Sequence, residues 1–222
     1  MIGGIQLKVC GLRSVGDAEA AAGLGAGYLG FIFHAKSPRG ISISDFRSMA
    51  DRLPAAHKVA VCVEPSDVAL AALAGSGCGY FQVHVSHDFP LPLVAAWSRQ
   101  VGPERLWLAP RLPPGTGISP AWLPLARTFL LDTYESDRFG GTGKTGDWAQ
   151  FGRVQSAHPD KTWILSGGLN PDNIAEAVRQ SGACFVDVNS GVESSPGVKD
   201  PARLAAFVSA LRQHPRGQAG GA

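Results

Sequence analysis

Eight short apolar runs recur along this chain at nearly even spacing, and that rhythm narrows the choice of fold more than any single motif. The runs are IQLKVC (5–10), YLGFIF (28–33), KVAVCV (58–63), YFQVHV (80–85), RLWLAPRL (105–112), TFLLDT (128–133), TWILSG (162–167) and FVDVNS (185–190). Their first residues lie 23, 30, 22, 25, 23, 34 and 23 positions apart. A strand, a helix and two short loops fill an interval of that length, whereas sandwich strands recur every 8–12 residues or so. Helix signals occupy the intervals: DAEAAAG (17–23), SISDFRSMADRL (42–53), SDVALAALAGSG opening at Ser66, and PLVAAWSRQ (92–100). Asp147, Asn170 and Asp200 stand where N-caps belong. The interval around 118–127 contains two prolines, so only a short helix is expected there.

Eight such units in about 210 residues predict an α/β protein of the closed (β/α)8 TIM-barrel type. An open doubly wound sheet is the competing arrangement. The regular count of eight and the lack of an early GxGxxG favour closure. One catalytic domain over residues 1–213 is expected, with HPRGQAGGA (214–222) as a flexible tail. Glycine supports the same reading: 28 of 222 residues is nearly twice the usual share of about 7%, as short barrel loops with tight turns would require.

Charge and cysteine usage exclude several classes. Twenty basic and 18 acidic residues give a net charge of +2 with no basic block, so no nucleic-acid partner is expected. No apolar run reaches the roughly 18 residues of a spanning helix, so no membrane partner is expected either. Cys10, Cys62, Cys78 and Cys184 show no CxxC spacing, and the opening MIGG is not a secretory leader. Reduced thiols in the cytoplasm are the expected state.

In a barrel, polar residues at the C-terminal ends of strands converge on one face. That filter selects Cys10, Asp132, Ser166 and Asn189, with Gln82 and His84 near the end of the fourth strand and Arg39 in the loop after the second. Each has a plainer reading. Cys10 could be a small buried hydrophobe, and Arg39 a solvated loop arginine. Asp132 is more demanding, because a carboxylate after the apolar FLL costs several kcal/mol to bury unless it is paired. A thiol and a carboxyl across one mouth make a proton-transfer pair. Three glycine-rich stretches follow the last strands: FGGTGKTGDW (139–148), SGGLNPDN (166–173) and NSGVESSPG (189–197). Loops after the seventh and eighth strands form the recurrent phosphate cradle of these barrels. Turn glycines are the bland alternative, and GGTGKTG lacks the P-loop register. His84 and His87 have no evident third ligand, so no metal site is expected.

At these residues the chain resembles the phosphoribosylanthranilate isomerase family of tryptophan biosynthesis. The matching stretches, in family order, are KVCGL (8–12), GFIF (30–33), SPR (37–39), LLDT (130–133), GGTG (140–143), SGGLNPDNI (166–174), VDVNSGVE (186–193) and GVKD (197–200). The resemblance implies a ribulose-phosphate-binding barrel that carries out an Amadori rearrangement without a cofactor or metal. It implies Asp132 as general acid and Cys10 as general base. Arg39, Gln82 and His84 would contact the substrate. Gly141, Thr142, Gly143, Ser166, Gly167, Gly168, Asn189, Ser190 and Gly191 would surround its phosphate. The only expected partner is a small phosphosugar-anthranilate, with a monomer as the default state and a homodimer as the alternative. Strand 4 departs from the family pattern: QVHV replaces QLHG, so a reshaped loop beside the anthranilate pocket is expected. Ser166 and Asn189 stand where alanine and serine are common. Two alternatives remain, a histidine-pathway phosphosugar isomerase of the ProFAR type and a non-catalytic scaffold. The ProFAR type commonly uses aspartates at the ends of strands 1 and 5, whereas Cys10 stands at strand 1 here.

Overall fold

The structure, a computed structural model, describes residues 1–113, 116–132 and 147–213. Eight strands pair in chain order: β1 (Gln6–Val9), β2 (Tyr28–Ile32), β3 (His57–Val63), β4 (Tyr80–Ser86), β5 (Leu106–Arg111), β6 (Thr128–Leu131), β7 (Thr162–Leu165) and β8 (Phe185–Val188). All pairs are parallel, and β1 closes on β8 to complete the barrel. Each of the eight apolar runs coincides with one strand to within two residues at either end. Among the described residues seven α-helices pack outside: α1 (Val15–Gly23), α2 (Ile43–Met49), α3 (Asp67–Ala74), α4 (Leu91–Val101), α5 (Trp148–Ala157), α6 (Ile174–Ser181) and α7 (Pro201–Gln213). The proline-bearing interval before β6 forms a 3-10 helix, Pro120–Leu125, rather than an α-helix. Pro124 has no N–H to donate, so the α-helical ladder is interrupted there.

Caps fix where the helices begin. The side chains of Ser14, Ser42, Ser66 and Asp147 each accept a backbone N–H in the first turn, and Ser42 with Asp45 completes a capping box. Asp200 accepts from the amides of Ala202 and Arg203 at the start of α7. Asn170 is not an N-cap as expected. Its Oδ1 accepts from Asp172 and Asn173 in a turn, and α6 starts after Asn173. The run predicted as one helix over 42–53 ends its α-helical part at Met49 and continues as a 3-10 turn, Ala50–Arg52.

Strand alternation divides the core into two layers. Outward side chains such as Leu7, Val9, Phe31, Phe81, Val83, Phe129 and Val186 meet the helices. A separate inner cluster holds Val59, Val61, Trp107, Ala109, Leu130, Ile164 and Phe185. At the strand starts, Tyr28 packs on Trp107 and Phe185 with ring centroids 5.2 and 5.0 Å apart, and Tyr80 packs at a tilt on Trp107 at 5.2 Å. These rings floor the barrel interior, which leaves its C-terminal end for a site.

Val85 belongs to the outer layer, where it is fully buried against the helices and pairs with Pro110 of β5. The family glycine is therefore replaced at a position facing away from the cavity. The next residue, Ser86, is anchored by Glu64, whose Oε1 accepts from its amide at 2.8 Å and its hydroxyl at 2.7 Å. The departure in strand 4 is absorbed by core packing and not by the site.

No helix among the described residues is long and apolar enough to cross a membrane.

Candidate active site

Four strands end one residue before a polar side chain: β1 before Cys10, β6 before Asp132, β7 before Ser166 and β8 before Asn189. Each of these residues follows an inward-facing one by two positions, namely Lys8, Leu130, Ile164 and Asp187. Alternation therefore turns all four toward the barrel axis. They line one cavity of about 450 Å³ at the C-terminal mouth. Gln82 and His84 of β4, and Arg39 from the loop after β2, line it as well. So do Gly167, Gly168 and Ser190 from the loops after β7 and β8.

Gly191 does not line the cavity. A Cβ there would lie 1.9 Å from the Leu169 carbonyl oxygen, so its bare backbone lets the loop after β8 pack on the loop after β7. Gly141, Thr142 and Gly143 lie outside the described residues, as does the tail over 214–222. Gly11 has φ +72, and a Cβ there would lie 2.6 Å from Asn189 Oδ1. Only glycine lets β1 turn away at this point with Cys10 facing the cavity.

Cys10 is buried, and burial pushes its thiol up. Lys8, directly below it on β1, is the main influence in the opposite direction. Lys8 itself is fully buried, and its Nζ donates to Asp187 Oδ2 at 2.9 Å. Burial disfavours the Lys8 ammonium, but Asp187 and Cys10 outweigh it and hold the charge on. Burial also pushes Asp187 up, and Lys8 pulls it back. The remaining oxygen, Asp187 Oδ1, is buried with no hydrogen-bond partner among the described residues, and so is Gln82 Oε1. Two acceptors on the cavity wall are thus left for donors from a ligand.

Gln82 Nε2 lies 2.9 Å from His84 Nε2. An amide nitrogen only donates, so the histidine nitrogen accepts and its proton sits on Nδ1. Burial, then the charges of Lys8 and His34, push His84 down to about 4, so the ring is neutral at physiological pH.

Arg39 is not a solvated loop arginine. Its Nε donates to Glu193 Oε1 at 2.9 Å, and its Nη2 to Oε2 at 2.7 Å. Lys199 Nζ completes the cluster, donating to Glu193 Oε1 at 2.8 Å and Asn189 Oδ1 at 2.9 Å. Burial opposes ionisation of Glu193, but its bonds to Arg39 and Lys199 prevail and hold the carboxyl below its usual range. The fork to Glu193 occupies the Nε–Nη2 edge of the guanidinium of a residue that also lines the cavity. Glu193 and Lys199 sit on a small antiparallel hairpin, β9 (Glu193–Ser195) and β10 (Val198–Lys199), that follows a 3-10 turn after β8. Sequence reasoning left open whether Lys8, two residues before Cys10 on its strand, points the same way, and it assigned no role to Asp187, Glu193 or Lys199. Opposite charges at inward positions of β1 and β8, the two strands that closure brings together, were the available signal for the first pair.

A closed parallel barrel with a thiol, a carboxyl and a polar cavity at the carboxyl ends of its strands defines a (β/α)8-barrel enzyme. Residues 7–210 match the family model described as N-(5'phosphoribosyl)anthranilate (PRA) isomerase, and the chain belongs to that family. It is 34% identical to N-(5'-phosphoribosyl)anthranilate isomerase of Cereibacter sphaeroides over 94% of this chain and 99% of the relative. Among solved structures it is similar to TrpF from Jonesia denitrificans, with TM-score 0.76, 31% identity, and coverage of 96% of this chain and 100% of the other. It is also similar to a phosphoribosyl anthranilate isomerase in complex with reduced 1-(o-carboxyphenylamino)-1-deoxyribulose 5-phosphate. That match has TM-score 0.71 and 28% identity, and covers 94% and 99% of the two chains.

Proposed function

We propose that this chain catalyses the Amadori rearrangement of N-(5-phosphoribosyl)anthranilate to 1-(2-carboxyphenylamino)-1-deoxyribulose 5-phosphate in tryptophan biosynthesis, with Asp132 as general acid and Cys10 as general base. Family membership supports the reaction. The observation that carries the residue roles is that Cys10 and Asp132, from strand ends far apart in the chain, line one cavity.

Asp132 gives its proton to the ribose ring oxygen, and the C1–O bond breaks to leave an iminium at C1. The iminium acidifies the proton on C2. Cys10, as thiolate, removes that proton, and the electron pair moves to form the enolamine. Tautomerisation of the enolamine gives the ketone. C1 is reduced as C2 is oxidised within the substrate, so no external oxidant or reductant enters and the residues need only move protons. The second edge of the Arg39 guanidinium suits the anthranilate carboxylate. Gln82 Oε1 and Asp187 Oδ1 suit hydroxyl or amine donors of the substrate. Ser166, Gly167, Gly168, Asn189 and Ser190, with Gly191 shaping the loop and Gly141, Thr142 and Gly143 completing the set, are the proposed phosphate cradle. Both proline-free glycines after β7 have positive φ, 93 for Gly167 and 63 for Gly168, a conformation that brings backbone amides close to an anion. We read the protein as a cytoplasmic single-domain monomer.

The test is a steady-state assay that follows loss of substrate fluorescence, with the product identified by mass spectrometry. Turnover to the ketose is the expected result. A folded protein with no turnover would be an inert scaffold and would overturn the proposal.

A further inference from the structure

Lys8 has no place in the proton transfers above, yet it is a charged side chain with 0% exposure in the middle of the barrel. It does not line the cavity, so substrate does not reach it. Three elements enclose it. On β1 it lies two residues before Cys10, one layer deeper on the same inward face. On β8, Asp187 pairs with it in register and accepts its Nζ at 2.9 Å. On β2, Gly30 leaves the room that both side chains use: a Cβ there would lie 2.9 Å from Lys8 Cε and 3.0 Å from Cys10 Sγ. The end of the lysine stem and the sulfur therefore flank the same point.

We propose that Lys8 is a positioning residue for the isomerisation, its ammonium anchored by Asp187 beneath the sulfur so as to stabilise the Cys10 thiolate. The inference rests on the reading of Cys10 as general base. A thiolate in a buried site is costly unless a cation faces it. The groups around the sulfur show which cation does so. His84 on β4 is neutral. Glu193 on β9 is neutralised by Arg39 and Lys199. Asp187 on β8 carries the opposite sign to the one needed, and Asp132 after β6, a carboxyl, can supply no positive charge. Lys199 on β10 is a second cation, already divided between Glu193 and Asn189. Lys8 is left as the principal counter-charge, and it is bonded to a single carboxylate oxygen. A purely structural ion pair would affect stability and leave the thiol's titration alone, so the two roles separate experimentally.

The experiment measures alkylation of Cys10 by iodoacetamide across pH, read at that peptide by mass spectrometry, beside the pH profile of kcat/KM with N-(5-phosphoribosyl)anthranilate. Wild type is compared with Lys8→Met and with Lys8→Met/Asp187→Asn. The double variant leaves no orphaned carboxylate, so it remains a test if the single one does not fold. In both variants the alkylation midpoint is expected to rise by about one pH unit or more, which is about a tenfold loss of thiolate at neutral pH. The ascending limb of kcat/KM should move with it. A shifted alkylation midpoint with an unmoved kcat/KM limb would support Lys8 as the counter-charge and defeat Cys10 as the base. An unmoved alkylation midpoint in the folded variants would overturn the proposal and leave Lys8 and Asp187 as a core ion pair.

Discussion

His84 shows how position sets the chemistry of a residue. Burial and nearby positive charge hold its folded pKa at about 4, whereas an unfolded histidine titrates near 6.5. Between those values the unfolded chain binds a proton that the folded chain does not. Stability is therefore whole above about pH 6.5 and falls as pH drops toward 4. Urea denaturation at pH 7 and pH 5 should show this loss in wild type and a smaller one in His84→Gln, whose amide oxygen still accepts from Gln82. Parallel losses in the two proteins would contradict a neutral, buried His84. Residues of this kind are readable from sequence only in part. Cys10, Asp132, Ser166 and Asn189 follow from alternation along their own strands. The Lys8–Asp187 pair does not, because its members stand 179 residues apart and meet only through closure.

Among the elements, the β9–β10 hairpin ties two loops of the site together. A Cβ at Gly197, in its turn, would lie 2.9 Å from the Pro38 carbonyl oxygen, so the hairpin packs directly on the loop that carries Arg39. Glu193 bonds Arg39 and Lys199 through its carboxylate and Arg203 of α7 through its carbonyl, at 2.8 Å. Glu193→Gln would leave two cations facing a neutral amide in a buried cluster. A stability loss of about 3 kcal/mol is expected, the low end of what breaking a buried pair costs. Guanidinium denaturation measures it. KM should rise more than kcat falls, since Arg39 would lose its orienting partner while the proton-transfer pair is untouched. Unchanged stability and KM would remove the hairpin from the site. Nothing in the pattern ESSPGVK announced this brace, because its partners lie in loops that the chain visits some 150 residues earlier. The strand 4 departure illustrates the reverse case. A sequence difference beside two site residues looked consequential, but alternation turns Val85 outward into packing.

For the whole molecule, the eight-unit rhythm and the lack of an early GxGxxG favoured a closed barrel over an open sheet, and the pairing of β1 with β8 decides it, because rhythm fixes length, order and alternation but not which edges meet. The boundaries came less well: β1, β6, β7 and β8 end one or two residues before their apolar runs do, where polar residues leave the ladder to enter the mouth, whereas β4 runs one residue past its run to Ser86. The interval before β6 kept its place in the rhythm while losing its α-helix to Pro124. The barrel's closure places the ends of β1 and β6 around one cavity, and the account of function depends on that convergence. Its most direct test is kcat of Cys10→Ala on N-(5-phosphoribosyl)anthranilate, with folding checked by circular dichroism and thermal melting. The account predicts a folded barrel whose kcat falls by about 10²–10⁴-fold, the usual contribution of a general base. A folded Cys10→Ala protein with near-normal kcat would contradict it.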